Sequence, residues 1–180
     1  MTNRLFHFSE DGRIDLFVPR PVQVPSQRRP GYEWLNGPLV WAIDQWHQPM
    51  YLFPRDCPRI LLWPTSHSTD EDITRYFAGS SARIVAYTER NWLLRIAQTA
   101  LYRYELPSQT FESLNDAGMW VSRATVKPIQ RETIRHLPEA LQQAGVELRA
   151  LDNLLPLKSA WDSSLHVSGI RLRNALGWAR

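Results

Sequence analysis

The sequence predicts an α+β fold in which a twisted, mainly antiparallel, split sheet is flanked by short helices. Three observations favour this class. The 180 residues, 43% hydrophobic and 22% charged, suit one substantial core, so we expect a single globular domain over residues 1–180. The sequence contains roughly seven or eight extended segments and roughly four or five helical ones. A parallel sheet would require strands and helices to alternate along the chain, and here they do not alternate strictly.

The first predicted strand lies close to the N-terminus. Leu5, His7 and Ser9 alternate with Phe6 and Phe8, so an extended backbone places the two sets on opposite faces. The phenylalanines are expected to face a core. The other face then presents an imidazole and a hydroxyl about 7 Å apart, at two residues' rise. This polar pair is either a ligand site or a local hydrogen-bonding device.

The next part of the chain contains a long loop. Residues 14–18 are predicted to be extended. Four prolines then interrupt residues 19–38, namely Pro19, Pro21, Pro25 and Pro30, which predicts a Pro-rich loop with polyproline character. Loops of this length inside a domain are often functional, and a plain surface connection is the alternative.

Two near-continuous apolar runs follow the loop. Residues 39–44 and 60–63 each predict a strand that is buried on both faces. Between them, Asp44 is placed to cap a short helix over residues 45–53.

Capping signals and alternation predict the remaining elements. Ser68, followed by acids, predicts a helix over residues 68–77 that stops at Gly79. The further predicted strands are residues 82–88, 101–106, 117–123, 125–134 and 146–151. The further predicted helices are residues 90–97, 138–144, 157–165 and 170–178.

Charge and cysteine content limit the classes of function. The net charge of +3 is too small to indicate nucleic-acid binding by itself, but arginines form three clusters: Arg28–Arg29, Arg55 with Arg59, and Arg171 with Arg173. The longest apolar run has four residues, which is far from a membrane span, and no signal core precedes the first strand. Cys57 is the single cysteine. We therefore expect a cytoplasmic protein without a membrane partner.

Most catalytic motifs are missing from the sequence. There is no Walker loop, dinucleotide-binding fingerprint or nucleophile elbow. The five histidines do not have the spacing of a helix-borne zinc site, so no metal is expected. Cys57 is expected to be a buried structural thiol, and it would be a nucleophile only with a base such as His7 folded against it.

Five blocks of sequence resemble the signature blocks of a bacterial family of uncharacterised proteins. They are Leu5–Asp11, Leu39–Asp44, Phe53–Arg59, Trp120–Arg123 and Ser168–Ala175. The resemblance spans almost the whole chain, and it implies no activity and no catalytic residue.

A more distant resemblance is to ADP-ribosyltransferase-like folds. It rests on the His-x-Ser of the first strand, the Val-Trp-Ala of the second and the tyrosine after it. It implies that His7 and Ser9 hold the ribose and nicotinamide of NAD, with Trp41 or Tyr51 as the stacking ring and Arg55 beside them. NAD would then be a substrate, and no resident cofactor is required.

The same resemblance implies a catalytic position near Trp120–Arg123. Such folds place a glutamate there, whereas this sequence has Ser122 and Arg123. Relatives that transfer a 2′-phosphate use basic residues in place of the acid. On that variant, His7 and Arg123 are the catalytic candidates.

Two functions remain open at this level. One is an NAD-consuming enzyme of ADP-ribosyltransferase-like architecture, with RNA or protein as an acceptor. The other is a catalytically silent binding module for a nucleotide, a nucleic acid or a protein. Each of these side chains could have a structural role instead of a functional one. His7 and Ser9 can form hydrogen bonds with the backbone, and Arg55 and Arg59 can pair with Asp56 and Asp44.

Overall fold

The computed structural model describes residues 4–178. The chain forms two compact units, the first from residues 4–48 and 101–133 and the second from residues 49–100 and 134–178. The mixed α+β class and the mainly antiparallel pairing of strands are confirmed, and the strands are divided between two sheets. None of the helices among the described residues has the length and apolar character that crossing a bilayer requires.

Ten strands and three α-helices make up the described chain. The strands are β1 Leu5–Ser9, β2 Val40–Asp44, β3 Arg59–Trp63, β4 Ile84–Glu89, β5 Leu101–Leu106, β6 Glu112–Ser113, β7 Met119–Ser122, β8 Gln130–Ile134, β9 Val146–Leu151 and β10 His166–Ile170. The α-helices are α1 Asp70–Phe77, α2 Leu93–Gln98 and α3 Leu137–Gln143. Single turns of 3-10 helix occur at Glu33–Asn36, Gln48–Tyr51, Arg90–Trp92 and Leu172–Asn174, and a longer stretch at Leu155–Asp162.

The first unit contains a six-stranded sheet in the order β6-β7-β2-β1-β5-β8. Strand β1 is central and pairs antiparallel with β2 and with β5. Both faces are covered at the start of β1, because Leu5 and Phe6 point to opposite faces of the sheet and are 0% and 2% exposed. The expected division of β1 into a core face and a polar face is therefore wrong at Leu5, and Phe8 is only half-buried.

Two hydrophobic clusters lie among the described residues of the first unit. The larger cluster combines β1, β2 and β5 with the segments between strands; its buried members are Leu5, Phe17, Val40, Ala42, Tyr104, Leu106, Phe111 and Val126. The smaller one consists of Leu35, Leu39 and Val121, with Tyr32, Trp41 and Leu114 packed against it. The Pro-rich loop is thus anchored through its C-terminal half, where the turn Glu33–Asn36 contributes Leu35.

The second unit contains a four-stranded sheet in the order β10-β3-β4-β9. Strands β10, β3 and β4 pair antiparallel, and β4 pairs parallel with β9. All five residues of β3 are buried, as the apolar run predicts. In the register of this sheet, Arg59 faces Ile170 on one side and Thr88 on the other. The end of β10 therefore lies beside the beginning of β3.

Local chemistry explains why α1 forms where it was predicted. Thr69, rather than Ser68, is the N-cap, and its hydroxyl accepts a hydrogen bond from the Asp72 backbone N–H. Acids fill the first turn, where they complement the helix dipole. The helix ends at Ala78, which adopts a left-handed conformation with φ 47°.

Three predicted elements are wrong, and a fourth differs in its type of helix. Residues 14–18 form no strand and contribute only a bridge from Phe17 to Val126. The helix predicted over residues 45–53 is a turn followed by Gln48–Tyr51, because Pro49 lacks an amide hydrogen for a longer helix. The helix predicted over residues 170–178 is replaced by the end of β10 and the single turn Leu172–Asn174, and residues 155–162 are 3-10 rather than α-helical.

Candidate functional site

His7, the leading candidate, is bound to the backbone of the neighbouring strand. Its Nδ1 lies 2.8 Å from the carbonyl oxygen of Trp41. A carbonyl can only accept a hydrogen bond, so Nδ1 carries the hydrogen and donates it. The ring also packs against Phe17, with the ring centroids 4.8 Å apart. In the neutral imidazole this leaves Nε2 as the basic nitrogen, held in a defined direction.

Ser9 shapes the turn that follows β1. Its hydroxyl accepts a hydrogen bond from the backbone N–H of Asp11 at 3.0 Å. The carboxylate of Asp11 accepts from the backbone N–H of Arg13, and its carbonyl accepts from the Tyr104 hydroxyl. The serine is thus part of a chain of local bonds of the kind that shapes turns.

Trp41 lies on β2 and contacts His7 through its carbonyl group. Its indole ring is half-buried against the smaller cluster, and the guanidinium of Arg28 lies over it at 5.8 Å from the ring centroid. Its indole N–H is buried and has no acceptor among residues 4–178. His7 and Trp41, two of the candidate residues, are therefore in contact.

Arg123 follows β7 in the first unit and is engaged on two sides. One terminal nitrogen donates to Oε1 of Glu112 at 2.6 Å. The guanidinium also lies over the ring of Trp34, 4.6 Å from its centroid. Glu112 belongs to β6, which pairs with β7. Glu112 therefore places a carboxylate next to Arg123, although residues 120–123 themselves contain no acid.

Tyr51 and Arg55 belong to the second unit, on the turn Gln48–Tyr51 and in the loop that leads to β3. Burial raises the pKa of the Tyr51 hydroxyl, an effect that the positive charges of Arg59 and Arg171 oppose. The ring lies 5.6 Å from the guanidinium of Arg59. The candidates are therefore His7, Ser9, Trp41 and Arg123 in the first unit, and Tyr51 and Arg55 in the second.

A group of arginines in the second unit is the most unusual electrostatic feature there. We call Arg55, Arg59, Arg171 and Arg173 the arginine cluster. Arg59 is 2% exposed, and its Nε and Nη1 donate to the carbonyl oxygens of Met50 and Cys57, both at 2.9 Å. These bonds hold the loop that carries Arg55. Burial lowers the pKa of Arg59 to about 10, so it stays positively charged at neutral pH.

Arg171 joins the cluster from the end of β10. Its Nε donates to the carbonyl oxygen of Arg55 at 3.1 Å, and its own backbone is left-handed with φ 56°. Burial lowers the pKa of Arg171, and the positive charges of Arg173 and Arg55 lower it further. The amide nitrogen of Asn174 donates to the Asp56 carbonyl at 2.7 Å, which fixes this turn against the same loop.

The structure does not show the acidic partner that the sequence suggested for Arg59. Arg59 was expected to pair with Asp44 or Asp56, but the two donor atoms just described bind backbone carbonyls. Asp44 instead accepts hydrogen bonds from the backbone N–H and the Nδ1 of His47, each at 2.8 Å from its Oδ1. Burial raises the pKa of Asp44, but the hydrogen bonds from His47 outweigh that effect and hold it below its ordinary value.

Two polar residues that the sequence did not single out are also placed in defined surroundings. Glu89 ends β4 and is 0% exposed; its Oε1 accepts from the Leu176 backbone N–H at 2.7 Å, and its Oε2 is buried without a partner among the described residues. The other is His47, paired with Asp44. No sequence motif marks either residue. The arginines, by contrast, were visible as clusters in the sequence.

Cys57 is a buried free thiol, as expected. It is 0% exposed, and its sulfur lies 3.3 Å from the hydroxyl of Thr88. Burial raises the pKa of the thiol, which disfavours the nucleophilic thiolate. Within residues 4–178, no three His, Cys, Asp or Glu side chains are grouped so that they could hold a metal ion.

Comparison with known proteins identifies a family and no activity. No curated protein and no solved structure is significantly similar to the chain. The ADP-ribosyltransferase-like resemblance therefore stays a prediction. The model of a family of unknown function matches residues 6–175, which covers four of the five blocks of sequence described above completely and the first block from Phe6 onward. The chain therefore belongs to this family of unknown function, DUF6886.

Proposed function

We propose that this chain is a binding protein for a phosphate-bearing ligand of the nucleotide class, held through its phosphate by the arginine cluster. The observation that carries the proposal is the meeting of four guanidiniums in one region of the second unit. Arg171 is bonded to the backbone of Arg55 and lies within the electrostatic reach of Arg59 and Arg173. Asp56 opposes them with a single negative charge.

The energetic cost of this arrangement supports an anionic ligand. Like charges repel. Burial lowers the pKa of both Arg59 and Arg171, and neighbouring positive charges lower each pKa further: Arg171 acts on Arg59, while Arg173 and Arg55 act on Arg171. The backbone of Arg171 adds the strain of a left-handed conformation in a residue with a side chain. Strained, mutually repelling groups of this kind are found more often at binding sites than in purely structural positions.

The geometry of the guanidinium group favours phosphate as the anion. Its planar fork donates two parallel hydrogen bonds to adjacent oxygens, and such charge-assisted pairs are among the stronger hydrogen bonds in proteins. Arg55 and Arg173 are exposed and Arg171 is partly exposed, so a ligand in solution can reach their donors. The buried charge of Arg59 adds to the positive potential, while its bonds keep the loop in place. The nucleotide class itself comes from the sequence resemblance.

The test is calorimetric titration with inorganic phosphate, AMP and NAD as separate ligands. We expect binding that weakens with added salt, and a loss of about tenfold or more in affinity for Arg171→Ala and for Arg173→Ala. Arg135→Ala is the matched control, since Arg135 is an exposed arginine of the second unit outside the cluster. Equal affinities in Arg171→Ala and Arg135→Ala, or no binding of any of the three ligands, would reject the proposal.

A second candidate function is the NAD-consuming enzyme, with His7 as its base. The observation that favours it is the hydrogen bond from Nδ1 to the Trp41 carbonyl, which fixes the tautomer and leaves Nε2 as the proton acceptor. Ser9 and Trp41 would contact the ribose and the nicotinamide, and Arg123, the basic residue in place of the acid, would bind a phosphate group. RNA or a protein would be the acceptor.

The two candidates differ in turnover. Incubation with NAD, followed by quantification of released nicotinamide, should show consumption that is lost in His7→Ala and retained in Arg171→Ala if the enzyme candidate holds. His7→Asn is the control for structure, because its amide N–H can still donate to the Trp41 carbonyl while no basic nitrogen remains. Binding of NAD without release of nicotinamide leaves the binding protein as the function.

A further inference from the structure

We propose that the first unit binds single-stranded nucleic acid on a surface that we call the arginine–aromatic face. It consists of Arg28, Arg29 and Arg123, each lying over one aromatic ring: Trp41, Tyr32 and Trp34, respectively. The distances from guanidinium carbon to ring centroid are 5.8, 3.7 and 4.6 Å. This surface shares no residue with the arginine cluster of the second unit, and its proposed ligand contacts do not depend on the phosphate site.

The three stacks rest on one small core and are therefore neighbours. Tyr32 and Trp41 both pack against the cluster of Leu35, Leu39 and Val121. Trp34 precedes Leu35 in the turn Glu33–Asn36. Arg123 follows β7 directly, and β7 pairs with β2 so that Val121 faces Trp41. The face is continuous over the loop, β2 and β7.

The Pro-rich loop holds this face in place. The side chain of Asn36 accepts hydrogen bonds from the Ser26 backbone N–H and from Nε of Arg28, both at 3.2 Å, and donates to the Ser26 carbonyl at 2.8 Å. The backbone N–H of Val22 donates to the Asn36 carbonyl, and Arg20 forms a bridge with Leu39. A loop that is braced at several points presents its side chains in a defined arrangement.

The chemistry of the face matches single-stranded nucleic acid. Proteins that bind such strands combine aromatic rings, on which bases stack, with cations that contact the phosphates. Here both kinds of group alternate on one surface: Trp34 is 37% exposed, and the guanidiniums of Arg28 and Arg29 lie beside the rings they cover. A base can replace the guanidinium over a ring, and the released arginine can then bind the adjacent phosphate. The buried indole N–H of Trp41, under Arg28, offers a further donor in that exchange.

The charge of this face does not by itself favour a nucleic acid over an acidic protein as the ligand. Charge and aromatic rings together do favour a nucleic acid. Arg28, Arg29 and Arg123 are accompanied by Glu33, in the turn that carries Trp34, and by Glu112, which is already paired with Arg123. An excess of one positive charge is modest for a purely electrostatic partner. Planar stacking on three rings supplies the rest of the binding, and a duplex cannot provide it because its bases are already stacked.

The experiment is fluorescence anisotropy with a labelled oligouridine of about twelve nucleotides, compared with a duplex RNA of equal length. We expect the single strand to bind and the duplex to bind about tenfold more weakly. Arg29→Ala and Trp34→Leu should each weaken single-strand binding by about fivefold or more, and Arg29→Ala should also reduce the dependence of affinity on salt. Trp34→Leu keeps an apolar side chain on Leu35's turn, and circular dichroism establishes that each variant is folded.

Two controls separate this surface from other arginines. Arg13→Ala removes an exposed arginine of the same unit, and Arg135→Ala removes an exposed arginine of the second unit outside the arginine cluster; both should bind the oligonucleotide like the wild type. The proposal is overturned by absence of binding at about 50 mM salt, by equal binding of duplex, or by an equal loss in Arg13→Ala or Arg135→Ala. Displacement of the RNA by polyglutamate at the same charge concentration would also overturn it, in favour of an acidic protein partner. If Trp34→Leu does not fold, Arg29→Ala alone decides.

Discussion

Arg171 donates a hydrogen bond from Nε to the backbone carbonyl of Arg55, 3.1 Å away, and so brings two positively charged residues together. The two residues are far apart in the chain and meet because β10 pairs with β3. The hydrogen bond satisfies the carbonyl of an exposed loop. The relationship makes Arg171 both a structural contact and the main candidate for anion binding, and these two roles can be separated by experiment.

Replacing Arg171 by glycine should separate binding from stability. Arg171→Gly relieves a left-handed backbone that costs about 1–2 kcal/mol in a residue with a side chain, and it removes a hydrogen bond worth about 1 kcal/mol. We therefore expect the unfolding free energy to stay within about 1 kcal/mol of the wild type, while phosphate affinity falls. Arg171→Ala loses the hydrogen bond and keeps the strain, so it should be less stable than the glycine variant. Denaturation in urea measures both, and equal stabilities would contradict this account of the backbone.

Ala78 offers a second test of backbone strain, away from either proposed site. It ends α1 with φ 47° and is exposed, so its side chain contributes little packing. Ala78→Gly should raise the unfolding free energy by about 0.5–1 kcal/mol, because glycine adopts this conformation without strain. Ala140→Gly, within α3, should lower it by about 1 kcal/mol. A destabilising effect at both positions would show that the end of α1 is not strained.

The stability of the first unit should depend on pH through Glu105. Its carboxylate accepts hydrogen bonds from Nε and Nη2 of Arg4 at 2.9 and 2.7 Å. The hydrogen bond from Arg4 lowers the pKa of Glu105 below its ordinary value, although partial burial opposes the shift. The unfolded chain therefore binds the proton more readily than the folded one. This contribution is complete above the ordinary pKa of a glutamate, about 4.3, and is lost as the pH falls through the lower folded pKa.

Urea denaturation at a series of pH values tests that direction. Glu105→Gln should be less stable than the wild type at neutral pH, and the difference should shrink steadily as the solution is made more acidic than about pH 4. Arg4→Met removes the partner and should give the same change of slope. A difference between wild type and Glu105→Gln that stays constant down to pH 3, or grows there, would mean that this pair does not link folding to protonation.

The sequence correctly predicts those elements whose conformation depends mainly on residues close by in the chain. Strand β3 is a continuous apolar run, and α1 has a hydroxyl cap, acids in its first turn and a stop signal. Strand β10 was missed because it is short and contains Ser168 and Gly169, so only its pairing with β3 makes it a strand. Pairing of that kind depends on residues far away in the chain, which a local pattern does not contain.

The same distinction applies to the sites. Arg55 with Arg59 and Arg171 with Arg173 are visible as two separate clusters in the sequence. Their meeting follows from the register in which Ile170 faces Arg59, and no spacing predicts that register. His7 and Trp41 could be predicted as neighbours because both lie on the first two strands, whereas the hydrogen bond that fixes the tautomer of His7 requires the backbone coordinates.

Gly118 should be intolerant of any side chain because of its contact with the Asp44–His47 pair. Its φ is +70°, and a Cβ there would lie 2.2 Å from Nδ1 of His47 and 2.6 Å from Oδ2 of Asp44. The ring and the carboxylate hold each other at 2.8 Å, so neither can move without breaking that bond. We expect Gly118→Ala to lower the unfolding free energy by about 3 kcal/mol, from backbone strain and overpacking together.

Gly31 is the matched control for this prediction, since it also has a positive φ, +85°, but no atom lies within 4 Å of the position of its Cβ. Gly31→Ala should therefore cost only the backbone term of about 1 kcal/mol. Adding His47→Ala to Gly118→Ala should recover part of the loss, because the shortened side chain makes room for the methyl group and the two effects are not additive. If Gly118→Ala and Gly31→Ala lower the unfolding free energy equally, the Asp44–His47 pair moves easily to admit the methyl group. In that case Asp44 and His47 are not held rigidly against the turn before β7.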